Sequence, residues 1–215
     1  MIAGVYPVDC GSIVIDGIDV TKLPEHKRAK YIGRVFQDPM NGTAANMQII
    51  ENLALASRRG AHRGLGPGVK HKEKEHYQEL LKSLDLGLED RLTSKVGLLS
   101  GGQRQAITLL MATMCKPKLL LLDEHTAALD PKTAKKVLDL TEKIVAENNL
   151  TTIMITHNMK DAIAIGNRLI MMNDGKIIYD VEGDEKKALT TTDLLAKFKL
   201  TSGEELDDDK ILLSE

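Results

Sequence analysis

The sequence predicts an α/β fold in which a mostly parallel sheet carries packed helices, an inserted helical lobe and short antiparallel strands. Three observations predict it. Leu119–Leu122 is an unbroken leucine run, the pattern of a strand buried on both faces. Strand-like and helix-like periods alternate through the second half of the chain. Ahead of them, Met47–Val96 follows a helical period, with Tyr77, Leu80, Leu81 and Leu84 on one face. With 215 residues, 42% of them hydrophobic, the chain can close one sizeable core with a lobe attached.

In chain order, residues 12–20 alternate apolar and polar about Asp16-Gly17, as two short strands around a turn do. Pro24–Lys30 reads as a short helix and Ile32–Phe36 as a strand that ends at Gln37, followed by the turn formers Asp38-Pro39-Met40-Asn41-Gly42. The helical stretch is interrupted by Arg58–Lys74, which is rich in Lys and Arg and includes Gly60, Gly64, Gly66, Pro67 and Gly68. A solvated loop and a contact with a partner or lipid headgroups are both open for it. After the leucine strand, Asp130-Pro131 supplies a cap and a first-turn proline for a helix with Ala134, Val137, Leu138, Thr141, Ile144 and Val145 on one face. Thr151–Ile155 is expected as another buried strand, closed by Thr156-His157. Leu169–Met172 and Lys176–Tyr179 pair around Asp174-Gly175, and the acidic run after Thr201 reads as a polar tail.

Composition gives several classes no support. Basic and acidic residues number 29 and 31 and are well mixed, so no global field attracts nucleic acid. Aromatics make up 3% with no Trp, too few for a stacking platform for single strands or sugars. Cys10 and Cys115 lie far apart with no metal-binding spacing, which suits a reduced cytosolic compartment. No apolar run approaches the roughly 20 residues of a membrane span, and the first residues lack the pattern of a secretory signal.

Gln37, Asp123-Glu124 and His157 each follow the carboxyl end of an apolar strand, the edge at which open parallel sheets bind ligands. A carboxylate held at a strand end can hold Mg²⁺ directly or through water, and a neighbouring one can polarise an attacking water. Leu99-Ser100-Gly101-Gly102-Gln103-Arg104-Gln105 precedes an apolar helix. Ser100 can cap that helix, and two glycines let backbone N–H groups approach an anion at its N-terminus.

In this order the motifs resemble the ATP-binding domain of ABC transporters. Leu99–Gln105 is similar to the LSGGQ signature and Leu119–Glu124 to the Walker B strand with its catalytic Glu. Ala127-Ala128-Leu129-Asp130 resembles the D-loop, Ile155-Thr156-His157 the switch histidine and Val35-Phe36-Gln37-Asp38 the Q-loop. The resemblance runs from residue 1 to about residue 180. It implies a P-loop NTPase-like, RecA-like core over residues 1–46 and 97–200, a helical subdomain over 47–96, a remnant antiparallel β-subdomain, and an acidic tail over 201–215.

The resemblance also implies ATP and Mg²⁺ as cofactors. Asp123 would serve Mg²⁺, Glu124 would be the general base, His157 would contact the γ-phosphate, and Gln37 would sense Mg²⁺ and water. Ser100, Gly101, Gly102 and Gln103, with Asp130, would bind ATP held mainly by the opposite subunit of a head-to-tail dimer. Implied partners are transmembrane permease subunits, a second ABC ATPase subunit and a substrate-binding protein, with no nucleic acid. The implied location is cytoplasmic, on the inner face of the membrane.

The sequence departs from the family pattern in one major respect. No GxxxxGK[ST] occurs in the 215 residues, and Gly175-Lys176 is followed by Ile177. The Walker A loop is expected upstream of Met1, and the chain as written is expected not to hydrolyse ATP alone. His125 stands where the family usually has Pro, and Ala127 where it often has Ser. Three readings remain: an importer ATPase lacking its N-terminus, a non-catalytic subunit donating its signature to a partner's P-loop, and a soluble ABC ATPase outside transport.

Overall fold

The computed structural model describes residues 1–61 and 67–202, and the chain forms two compact units, Met1–Ile155 and Thr156–Glu215. The first holds the parallel sheet. Strands β3 (Ile32–Val35), β4 (Leu119–Asp123) and β5 (Thr152–Ile155) lie parallel in the order β3-β4-β5, with Val35 opposite Leu122 and Asp123 opposite Ile155. Before it, β1 (Val14–Ile15) and β2 (Ile18–Asp19) form a hairpin. Asp16 and Gly17 both adopt positive φ at its turn, as a two-residue connection between right-twisted strands requires.

Helix α1 (Glu25–Arg28) carries the buried Arg28, whose guanidinium donates to the carbonyls of Met1, Ile2, Thr21 and Leu23. One cation thus ties the first residues to the hairpin. Helices α2 (Ile49–Ser57) and α3 (His71–Lys82) form the lobe. Tyr77, Leu81 and Leu84 are buried in a cluster with Ile49, Leu53, Leu88 and Val96, as the helical period predicts. That cluster also takes Ala106, Ile107 and Leu110 from α4 (Gly101–Thr113). Leu109 and Ala112 on the same helix pack instead with Val35, Leu120 and Leu122 of the sheet. Helix α4 is buried around most of its circumference because it lies between lobe and sheet.

Gly33 lets α4 lie close on β3, since a Cβ there would come within 2.5 Å of the Ala112 carbonyl oxygen. Helix α5 (Pro131–Asn148) covers the sheet with Leu140, Ile144 and Val145. Strand β5 differs from expectation. Ile153 and Ile155 are 42% and 56% exposed while Thr152 and Met154 are partly buried, so among the described residues it is a half-buried strand paired with β4.

Of the basic stretch 58–74, Arg58 pairs with Glu73, and Arg59 donates to the carbonyls of Met111 and Ala112. These two cations are therefore committed to internal contacts. Residues 62–66, with Gly64 and Gly66, lie outside the described residues, as does the acidic tail beyond Ser202.

The second unit contains α6 (Met159–Ala164), the antiparallel pair β6 (Arg168–Asn173) and β7 (Lys176–Glu182), α7 (Gly183–Lys187) and α8 (Thr191–Ser202). Leu169, Val181 and Leu194 form its core. The buried Lys186 ammonium donates to the carbonyls of Ile163, Ile165 and Gly166 at the end of α6, so all three of its protons are used. Among the described residues no helix is long and apolar enough to cross a membrane.

Candidate functional site

The signature segment is built by local bonds. Ser100 is the N-cap of α4: its Oγ accepts from the Gln103 N–H at 3.3 Å, and Gln103 Oε1 accepts from the Ser100 N–H at 3.3 Å. This reciprocal pair satisfies two otherwise orphaned donors. Gln103 Nε2 also donates to the Leu86 carbonyl, and Arg104 Nη2 donates to the carbonyls of Gly97 and Leu99. The Gln103 side chain is thus a clamp between lobe and helix.

Gly102 is buried, where the sequence suggests backbone open to an anion, and its smallness has a packing reason. A Cβ there would collide with the Thr133 methyl group, and one at Gly101 would press on Leu129 at 3.2 Å. Both glycines admit the start of α5 and the loop before it. A cleft of about 400 Å³ opens beside them, lined in part by Asp85, Ser100, Gln103, Thr133 and Lys136.

Asp130 caps α5, accepting from the Thr133 N–H at 3.1 Å. Hydrogen bonding from Thr133 holds its carboxyl below the usual carboxylate range. Asp130 therefore stands with the signature glycines, which meet Leu129 and Thr133 on either side of it.

A second group forms at the carboxyl edge of the sheet. Strand β3 ends two residues before Gln37, which is exposed, and β4 ends at Asp123. Gln105, fully buried on α4, donates from Nε2 to the Phe36 carbonyl at 3.4 Å and ties this strand end to the signature helix. Asp123 faces Arg34 at 3.9 Å, and that guanidinium stacks over Phe36, 4.4 Å from the ring centroid.

Glu124 follows with φ 45°, in the left-handed region that costs a non-glycine residue about 1–2 kcal/mol. Its N–H donates to the Ile155 carbonyl, and its own carbonyl accepts from the Ala127 N–H. His125 turns inward and is 2% exposed, and burial depresses its imidazole from 6.5 to about 4. Sequence reasoning noted His125 as a departure beside Glu124 through which rate or subunit communication could differ, and it gave no role to Arg34 or Gln105. An arginine and a glutamine bordering two of the motifs were the available signals.

His157 belongs to the second unit. It is exposed and sits inside a turn in which the Asn158 N–H donates to Thr156 Oγ1, while Asn158 caps α6. The site residues thus fall into a signature group with Asp130, a sheet-edge group of Gln37, Asp123 and Glu124, and His157 just beyond β5 in sequence.

A family model described as ABC transporter matches residues 1–127. The chain belongs to the ABC transporter family. It is 46% identical over 199 residues to a tyrosine transport ATP-binding protein of Clostridioides difficile, covering 93% of this chain and 79% of that protein. It is 34% identical to a spermidine/putrescine import ATP-binding protein of Haemophilus influenzae, covering 84% of this chain and 45% of that one. A solved ATP-binding cassette, dimeric and bound to ADP and Pi after hydrolysis, superposes with TM-score 0.68 at 28% identity, over 84% of this chain and 76% of its own. An ABC transporter cassette in its ADP conformation gives TM-score 0.70 at 23% identity, over 98% of this chain and 78% of its own, and shares the fold. The fold is that of the ABC cassettes within the P-loop NTPases.

Proposed function

We propose that this chain is the ATP-hydrolysing subunit of an ABC importer of a small molecule, of the amino-acid class. What carries the reading is a capped Leu99–Gln103 signature and an Asp123-Glu124 strand end within one compact unit. The substrate class is supported by the relative described as a tyrosine transport protein, which is 46% identical.

In the proposed reaction Glu124 polarises the attacking water and His157 contacts the γ-phosphate. Ser100, Gly101, Gly102 and Gln103, with Asp130, close on ATP held by a second ABC ATPase subunit. The donor set fits Mg²⁺ as part of a shared shell. Asp123 supplies a carboxylate and Gln37 an amide oxygen, and among the described residues no group of three or more His, Cys, Asp or Glu could hold a metal unaided. Asp123 and Gln37 would hold the ion together with phosphate oxygens and water, and it would supply neutralisation of charge developing on the phosphates.

The 215 residues contain no GxxxxGK[ST], so the phosphate cradle comes from residues outside this sequence. We therefore expect no ATP turnover from the chain alone. Permease subunits and a substrate-binding protein complete the proposed assembly at the inner face of the cell membrane.

The test is to co-purify the protein from its native cells with its partners and measure Mg²⁺-dependent ATP hydrolysis. Turnover in a complex that holds a membrane permease supports the reading. Turnover without any membrane partner would instead favour a soluble ABC ATPase. Pairing with an intact homologue that hydrolyses ATP at a single site would favour a signature-donating subunit.

A further inference from the structure

We propose that His125 is a positioning residue for Glu124, fixing the loop that carries the general base to helix α5 through a hydrogen bond to Thr141. The inference rests on the reading of Glu124 given above.

The bond's direction follows from proton counting. Thr141 Oγ1 donates its one proton to the Val137 carbonyl at 2.7 Å. It must therefore accept from His125 Nε2 at 3.1 Å, which fixes the neutral imidazole with its proton on Nε2. Both side chains are buried, at 2% and 3% exposure, so water cannot replace either partner without opening the packing.

The bond acts on Glu124 through the backbone. Glu124 holds an unfavourable φ of 45° at the point where β4 becomes a loop. Such a conformation persists where its surroundings over-determine it. The Ile155 carbonyl fixes the Glu124 N–H and the Ala127 N–H fixes the Glu124 carbonyl. His125, the next residue, supplies the third anchor, and its partner Thr141 lies on α5. The proline usual in the family has no side-chain donor and could not make this bond. Helix α5 starts directly after Asp130 and meets the signature glycines through Thr133. A displacement of α5 at the signature contact is thus passed by one hydrogen bond to the residue beside the general base.

The test compares H125L, H125Q, T141V and T141S in the protein purified from its native cells with its partners, reading kcat and KM for ATP separately. H125L and T141V should lower kcat about 10–100-fold with KM unchanged, while H125Q and T141S, which keep donor and acceptor, should stay within about threefold of wild type. In the same protein, ¹⁵N NMR should show the His125 proton on Nε2, and T141V should shift that resonance. Wild-type kcat in H125L, or H125Q as slow as H125L, overturns the positioning role, and so does a proton on Nδ1. Absence of ATP turnover in the wild type overturns the reading of Glu124 itself, and the NMR result still decides whether the anchor exists.

Discussion

The signature turn and the loop after β4 both place polar residues at the end of a regular element, but they are held in opposite ways. At the signature, Ser100 and Gln103 bond to each other across three positions, and Arg104 reaches back to Gly97 and Leu99. At the loop after β4, Glu124 is held by Ile155 and His125 by Thr141, partners that are distant in sequence. A locally bonded turn is stable wherever its helix forms, whereas a remotely bonded loop reports the positions of the elements around it. Under the proposed function, the first would suit a surface offered to a second subunit, and the second would suit a carboxylate aligned by the elements around it.

The sharpest way to break this contrast is Glu124→Gln. In the assembled protein it should lower ATP turnover by at least ~100-fold while leaving nucleotide binding intact, the loss expected for a general base. Normal turnover in that variant would remove the catalytic half of the comparison.

Acidification tests the same loop through stability. The His125 imidazole is depressed to about 4, below its ordinary 6.5, because burial disfavours its charged form. Above pH 6.5 neither folded nor unfolded chain carries the proton, and the stability is fully present. As pH falls from 6.5 towards 4 the unfolded chain binds the proton first, so stability is lost across that window, by roughly 3 kcal/mol at most. Urea titrations at stepped pH should show this loss, and His125→Gln should flatten it.

Gly102→Ala probes one of the signature's long-range dependences. The added methyl group meets Thr133, so the variant should lose about 1–3 kcal/mol in denaturant titrations, and Thr133→Ser should recover part of it. An unchanged midpoint would mean that the signature is indifferent to α5. The smallest effect is expected for Ser100→Ala, about 1 kcal/mol from the lost cap. Circular dichroism during thermal melting would register it as a lower midpoint.

The same division explains what could be read from residues alone. The hairpin turns at Asp16-Gly17 and Asp174-Gly175, the Ser100 and Asp130 caps, and the Tyr77-Leu81-Leu84 face all depend on neighbours within about two helical turns, and each was legible. The leucine strand ending in Asp123-Glu124 was legible because burial on both faces leaves an unbroken apolar run. The exposure of Ile153 and Ile155 on β5 was not legible, since what covers a strand is a property of its neighbours and not of its own residues. Arg58 and Arg59 looked like part of a basic loop, and only the fold brings Glu73 and the carbonyls at the end of α4 to them.

The sequence by itself determined the α/β class and the family, because those are set by local periodicity and by motifs in fixed order. Tertiary structure alone decided that Gly102 must stay small against Thr133 and that Arg34 faces Asp123. It also decided that a histidine unlike the family's usual residue is buried, neutral and bonded to α5. Those features rest on contacts between segments far apart in the chain, whose partners no local pattern names.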